Sequence, residues 1–249
     1  MAAPAHTRGG FFHPFSMSAI KPLIPLSKIP NFDPRTVPVI RVDTDLPSVA
    51  APRLSARSLR ERFVAPPIWQ PELLAEPRFS DQASVPASVL IPIVQRARPT
   101  VLLTQRTAHL STHSGQIAFP GGKQDAHDED LRATALREAR EEVGLQAEFV
   151  QILGTLPIYA TGSGFAITPV VALVQEGFSV TRNAHEVDDI FEVPLEFLMN
   201  PANHRQHIFE WQGMRREWLS MPYQDGHTER FIWGATAGML RNLYRFISA

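Results

Sequence analysis

The chain of 249 residues contains no cysteine. This absence excludes disulfide bonds, thiolate zinc sites and cysteine nucleophiles, and it agrees with a reducing compartment. No apolar run approaches the roughly 20 residues that a membrane-spanning helix needs. The N-terminus also lacks the charged-then-apolar pattern of a signal peptide. We therefore expect a cytoplasmic protein that has no membrane partner.

An excess of charge of one sign is absent as well. The 24 basic and 25 acidic residues give a formal net charge of −1. A balanced chain has no global field that attracts nucleic acid, so we expect no nucleic-acid partner. The apolar fraction of 44% is ordinary for a globular protein with a core.

Glycine is missing between Gly10 and Gly115, whereas 14 of the 22 prolines precede residue 91. Frequent proline without glycine favours extended, stiff segments over a flexible linker. We therefore divide the chain into two parts. Residues 1–83 are predicted to be a Pro-rich N-terminal arm, partly extended or disordered, with one short helix in Leu54–Phe63. Residues 84–249 are predicted to be the folded domain.

The sequence pattern changes from Ser84 onward, where short apolar runs alternate with turn residues. Two β-branched runs on either side of Arg96–Pro99 predict a hairpin, and "QIAFPGG" predicts a third strand. Further strands are expected in "EFVQILGTLP" and "FAITPVVALVQEG", and a second hairpin is expected to turn at Gln212–Gly213. The chain closes with a predicted helix over Trp233–Phe246. Mixed strands with two substantial helices indicate an α/β or α+β layered domain.

The first of these helices is predicted over Asp128–Val143, with Gly144 as its C-terminal stop. It places Glu138, Glu141 and Glu142 within about one turn, beside an apolar stripe that can dock on a sheet. Two interpretations are open. The helix is either a solvated surface with Arg137 and Arg140 as ion-pair partners, or a site for a hard cation such as Mg²⁺ or Mn²⁺, which prefers oxygen ligands.

The residues around this helix resemble the Nudix box. Its C-terminal half matches fully, from Arg137 through Leu145 ("REAREEVGL"). The N-terminal half departs from the pattern. Counting five residues from Gly122 places Asp128 where the box has glutamate, and eight residues then precede Arg137 where seven are expected. Alternatively, Glu129 takes this position after a gap of six.

The preceding stretch, "LLTQRTAHLSTHSGQIAFPGG", resembles the motif that coenzyme A diphosphatases place before their Nudix box. The matches are Leu102, Leu103, Thr104, Arg106, Gly115, Phe119, Pro120, Gly121 and Gly122. The motif expects an arginine where this chain has Ser111, so one cation that can meet the substrate's phosphates is missing. The resemblance covers roughly residues 86 to 245 and leaves the arm unexplained.

The resemblance implies an α/β/α sandwich of the Nudix type with a mixed sheet. It also implies hydrolysis of a CoA-like nucleotide diphosphate with Mg²⁺ or Mn²⁺. The implied catalytic residues are Glu138, Glu141, Glu142, Arg137 and Glu186. The implied metal ligands are the three glutamates of the helix together with Gly122. The implied substrate-binding residues are Arg106, Gly115, Phe119 and Gly121.

Several alternatives stay open. The substrate can be another diphosphate, such as ADP-ribose, NADH or a nucleoside triphosphate, or the domain can be a catalytically silent binding module. Glu186 can be an ordinary loop residue, and Arg106 can serve a purely structural ion pair. His109 and His113 have a zinc-like spacing but lie in a poor helix without an intervening glutamate, so we do not expect a zinc site. A homodimer is compatible with the sequence.

Overall fold

The computed structural model describes residues 24–79, 81–107 and 115–249. The helices in these ranges are α1 (Ala56–Val64), α2 (Leu131–Val143), α3 (Leu195–Leu198) and α4 (Gly234–Ser248). The strands are β1 (Val39–Val42), β2 (Val85–Val94), β3 (Thr100–Arg106), β4 (Ile117–Ala118), β5 (Gly121–Lys123), β6 (Val150–Thr155), β7 (Tyr159–Ala160), β8 (Phe165–Val174), β9 (Val187–Pro194), β10 (Arg205–Trp211), β11 (Met214–Asp225) and β12 (Thr228–Trp233). Among these residues, no helix combines the length and the apolar composition needed to cross a membrane.

The larger sheet has eight strands and is mixed. Its main path runs β4–β3–β2–β8–β6, with β5 beside β2, β7 beside β8 and β9 beside β3. The central pair β2–β8 is parallel over its whole length, whereas the other pairs are antiparallel. Both central strands read as nearly continuous apolar runs, as expected for strands covered on both faces.

Helices cover the two faces of this sheet. On β2, Leu90 and Val94 pack with α2 in one core cluster, whereas Ile91 and Ile93 pack in a second cluster that includes α4. The alternation follows from the two-residue period of a strand. The predicted α/β/α sandwich with a mixed sheet is therefore confirmed.

A second sheet has four strands in the order β1–β10–β11–β12. The predicted hairpin is confirmed, because β10 and β11 pair antiparallel across Gln212 (φ 48°) and Gly213 (φ 80°). Strand β1 belongs to the arm and was not predicted. Strands β9 and β12 were not predicted either.

The described part of the arm packs closely on the domain. Its predicted short helix is present as α1, and Leu54 and Leu59 are buried in the core cluster that includes α4. Phe63 and Trp69 place their ring centroids 4.6 and 5.2 Å from that of Phe246. Through these contacts the arm forms part of the core cluster that packs against α4.

A buried charge network also joins the arm to α4. Arg241 on α4 is 1% exposed, and its guanidinium lies 2.9 Å from Asp43 and 2.8 Å from Glu72, both in the arm. The same guanidinium donates to His204 Nδ1 at 3.0 Å, and His204 Nε2 donates to the Leu198 carbonyl at 2.8 Å. Burial lowers the pKa of His204 to about 4, so the ring is neutral. Each charge in the network therefore has a partner.

Candidate active site

Helix α2 is fixed at both ends by its own sequence. The Asp130 carboxylate accepts the N–H groups of Arg132 and Ala133, both at 2.8 Å, and so caps the N-terminus. Gly144 ends the helix with φ 71°, as predicted. Ala135, Ala139 and Val143 are buried against the sheet, so the glutamates one position before Ala139 and Val143 lie at the edge of this buried face.

Glu142 is the most buried of the three glutamates, with 3% of its side chain exposed. Its carboxylate accepts the Gly121 N–H at 3.2 Å and lies 3.5 Å from the Arg106 guanidinium. Burial raises the pKa of Glu142 to about 7, and the charges of Glu138 and Glu186 add to this rise. A buried carboxylate with a displaced pKa is typical of a functional site.

Arg137 links the other two glutamates. Its Nη1 atom lies 3.0 Å from Glu138 Oε1 and 2.9 Å from Glu141 Oε2. Burial raises the pKa of Glu138, whereas the Arg137 charge opposes that rise. Glu141 is about half exposed. The helix thus presents one buried, one largely buried and one exposed carboxylate along the same edge.

The structure decides between the two candidates for the first acidic position of the Nudix-like pattern. Asp128 receives Arg137 Nε at 2.8 Å and Nη2 at 2.9 Å, and it also accepts the Thr134 hydroxyl at 2.9 Å. These contacts hold the pKa of Asp128 well below its usual range. Glu129 is exposed. Asp128 therefore fills the position, and Arg137 holds the preceding loop by donating also to the Lys123 carbonyl at 3.0 Å.

The two glycines of β5 are required by close packing. A Cβ atom on Gly121 would lie 2.4 Å from the Ser88 carbonyl oxygen on β2. A Cβ atom on Gly122 would lie 2.4 Å from Glu138 Oε1. The Glu138 carboxylate therefore lies directly against the backbone of β5, and the shared metal ligation by Gly122 and Glu138 stays a prediction.

The structure places the other predicted residues in different environments. Glu186 precedes β9, and its charge contributes to the raised pKa of both Glu138 and Glu142. Phe119 is 3% exposed and lies in the core, which gives its side chain a packing role. Gly115 adopts φ 67°, and its contact with substrate stays a prediction. His109, Ser111 and His113 lie outside the described residues.

Comparison with known proteins agrees with this geometry. A family model described as NUDIX domain matches residues 85–231. The chain belongs to the Nudix family. It is 44% identical over 158 residues to the Nudix hydrolase NudL of Citrobacter koseri, covering 63% of this chain and 80% of that protein. It is 40% identical over 190 residues to NudL of Yersinia enterocolitica, covering 76% of this chain and 93% of that protein.

Among solved structures, an Ap4A hydrolase binary complex from C. elegans is 26% identical, with a TM-score of 0.39, over 47% of this chain and 85% of that chain. The relatives identify the chain as a Nudix hydrolase, and Nudix hydrolases generally use divalent metal ions.

The donor set of this Nudix site fits a hard divalent cation. Carboxylate oxygens are the ligands that such ions prefer, and the missing Cβ of Gly122 leaves room for the Glu138 carboxylate against β5. In the described part of the chain, no three acidic or histidine side chains converge as a complete metal site. Arg137 Nη1, which contacts both Glu138 and Glu141, supplies the local positive charge instead. These contacts use one oxygen of each carboxylate, Oε1 of Glu138 and Oε2 of Glu141.

Proposed function

We propose that this Nudix hydrolase cleaves the diphosphate bond of coenzyme A or its derivatives. The products are 3′,5′-ADP and 4′-phosphopantetheine or its acyl derivative, and the cofactor is Mg²⁺ or Mn²⁺. Support comes from the likeness of residues 102–122 to the coenzyme A diphosphatase motif. We propose further that residues 1–83 form an extension of the Nudix domain 84–249 and that the enzyme is cytoplasmic. A homodimer is compatible with its sequence.

In this proposal Glu138, Glu141 and Glu142, with the Gly122 carbonyl, hold the metal. A bound divalent cation neutralises diphosphate charge and lowers the pKa of a water molecule. Glu186 or one of the helix glutamates accepts the proton of the attacking water. Arg137 positions the loop and the carboxylates through Asp128, and it does not contact the substrate.

The observation that carries the proposal is the environment of Arg106. Its guanidinium lies 3.5 Å from Glu142, which is longer than a good ion pair, and its side chain is 26% exposed. Within the described residues, its buried Nε atom has no hydrogen-bond partner. A guanidinium with unused donors beside a carboxylate cluster is suited to a phosphate, which it can bind through two parallel hydrogen bonds. Ser111, where the family motif has arginine, leaves Arg106 as the cation that we assign to the diphosphate.

Two alternatives remain as outcomes of the test. One is a Nudix hydrolase for ADP-ribose, NADH or a nucleoside triphosphate, which stays open because Ser111 replaces the family arginine. The other is a catalytically silent binding module. Such modules generally lose the carboxylates of the Nudix helix, whereas this chain retains Glu138, Glu141 and Glu142.

The test is kcat/KM for CoA, dephospho-CoA, ADP-ribose and NADH, each with Mg²⁺ and with Mn²⁺. We expect CoA to be preferred and dephospho-CoA to be about 10-fold poorer, because it lacks the 3′-phosphate and one charge-assisted contact. Ser111→Arg should enlarge this difference. A clear preference for ADP-ribose or NADH contradicts the coenzyme A assignment, and no turnover of any compound favours the silent module.

A further inference from the structure

The turn formed by residues 183–187 is held between the end of α2 and the end of β3. The Asn183 N–H donates to the Glu142 carbonyl at 2.9 Å. On the other side, the Thr107 N–H donates to the Glu186 carbonyl at 3.0 Å, and the Thr107 hydroxyl donates to the His185 carbonyl at 3.3 Å. The backbone that carries Glu186 is therefore tied both to a proposed metal ligand and to the strand that carries Arg106.

Asn183 makes most of the contacts within this turn. Its carbonyl accepts the N–H groups of Glu186 at 3.0 Å and Val187 at 2.8 Å. Its side-chain Oδ1 accepts the His185 N–H at 3.2 Å, which fixes the orientation of the amide. The amide nitrogen Nδ2 then faces Glu186 Oε1 at 3.4 Å. One residue thus joins the backbone of α2 to both the backbone and the carboxylate of Glu186.

We propose that Asn183 is a positioning residue that sets the Glu186 carboxylate against the carboxylates of α2. The inference rests on the proposed function, in which Glu186 takes part in hydrolysis. The amide side chain suits the task chemically. Aspartate keeps the acceptor for the His185 N–H but places a negative charge beside Glu186, whereas alanine loses both contacts. Only an amide of this length supplies an acceptor for the turn and a donor for the carboxylate.

The first experiment compares Asn183→Asp with Asn200→Asp, using the best substrate of the panel above. Asn200 is a matched control, because it is also half-buried and accepts an N–H two residues ahead, from Ala202 at 3.1 Å. General acid–base catalysis contributes about 10²- to 10⁴-fold, so displacing such a group should lower kcat about 10-fold in Asn183→Asp. The KM and the Mn²⁺ affinity of Asn183→Asp should stay within about twofold of the wild-type values. Its urea unfolding midpoint should stay close to that of the wild type. Asn200→Asp should behave as wild type throughout.

The second experiment is a double-mutant cycle with Glu186→Gln, which separates positioning from a general loss of structure. We expect Glu186→Gln alone to lower kcat, and Asn183→Asp to lower it no further in that background. Normal kcat in Asn183→Asp, or an additive loss in the double variant, overturns the positioning role. Wild-type kcat in Glu186→Gln removes the catalytic role of Glu186 and this inference with it, but leaves the substrate preference measured with the wild-type enzyme unaffected.

Discussion

Two networks of buried charge within the described residues are built differently. Between the arm and α4, Arg241 is matched by Asp43, Glu72 and His204, each within 3.0 Å. At the edge of α2, Glu142 is equally buried, but its nearest guanidinium is 3.5 Å away. Carboxylates outnumber cations there, since Glu138 shares Arg137 with Asp128 and Glu141.

From this difference we infer that the arm network serves stability and that the α2 network serves the proposed chemistry. A buried charge is tolerated when partners and hydrogen bonds replace the lost water, as they do around Arg241. An incompletely matched carboxylate costs folding free energy, and it is retained where a ligand or metal supplies the missing positive charge. The arm network should therefore respond to mutation in stability, and the α2 network should respond in turnover.

Removing the arm should have the largest effect. A chain that starts at Asp81 loses Leu54 and Leu59 from the core and leaves Arg241 without Asp43 and Glu72. We expect this chain to lose cooperative unfolding, which is measured by urea titration followed by tryptophan fluorescence. If it unfolds cooperatively and keeps the full-length kcat, the arm only tethers the domain.

Breaking one pair of the arm network should have the next largest effect. Asp43→Ala leaves part of the Arg241 charge uncompensated in the core, and such changes cost about 3–5 kcal/mol of unfolding free energy. The kcat of the folded fraction should be unchanged. Asp45→Ala is the matched control, because Asp45, like Asp43, pairs with Arg41 but is 66% exposed. A similar unfolding midpoint for the two variants contradicts a stabilising role for the buried network.

Removing a charge from the α2 network should lower turnover and not stability, which is the opposite of the result expected for the arm network. Glu142→Gln keeps the size of the side chain but removes a hard anionic ligand, so kcat should fall about 100-fold. Its unfolding free energy should stay the same or rise, because a costly buried charge is removed. Glu129→Gln changes an exposed glutamate nearby and should leave kcat near normal. Normal Mg²⁺-dependent turnover in Glu142→Gln contradicts α2 as the metal site.

The sequence predicted what local chemistry determines. The end of α2 at Gly144 and the turn at Gln212–Gly213 both depend on residues that tolerate positive φ, and both were predicted correctly. The glutamate cluster followed from helical periodicity. The choice between Asp128 and Glu129 did not, because α2 begins only after Asp130 and residue spacing does not determine the path of the preceding loop.

Tertiary contacts explain the remaining differences. The pairing of Asp43 with Arg241 joins positions almost 200 residues apart, so no local sequence pattern predicts it. Phe119 lies in a motif that suggested substrate contact, and its side chain packs in the core. A motif gives residue types and not side-chain directions, so the packing was not predicted, and the contact with substrate stays a prediction. Asn183 was missed for the same reason, since its role depends on how the turn meets α2.

The smallest effect we expect is a difference in the pH dependence of stability, measured in EDTA so that no metal binds. The pKa of His204 falls from 6.5 to about 4 on folding, so its contribution to stability is complete above about pH 6.5 and is lost as the pH falls toward 4. The pKa of Glu142 rises from 4.5 to about 7, so its contribution has the opposite sign, and stability is lost as the pH rises through that interval.

The urea midpoint of Glu142→Gln should therefore exceed that of the wild type by a margin that grows between pH 4.5 and 7, whereas His204→Gln should reduce the loss of stability in acid. Each change should be at most about 3 kcal/mol, because one pKa unit corresponds to about 1.4 kcal/mol. Curves that run parallel to the wild type over pH 4–8 contradict the assignment, and added Mn²⁺ should shrink the advantage of Glu142→Gln because the ion stabilises the wild-type carboxylate.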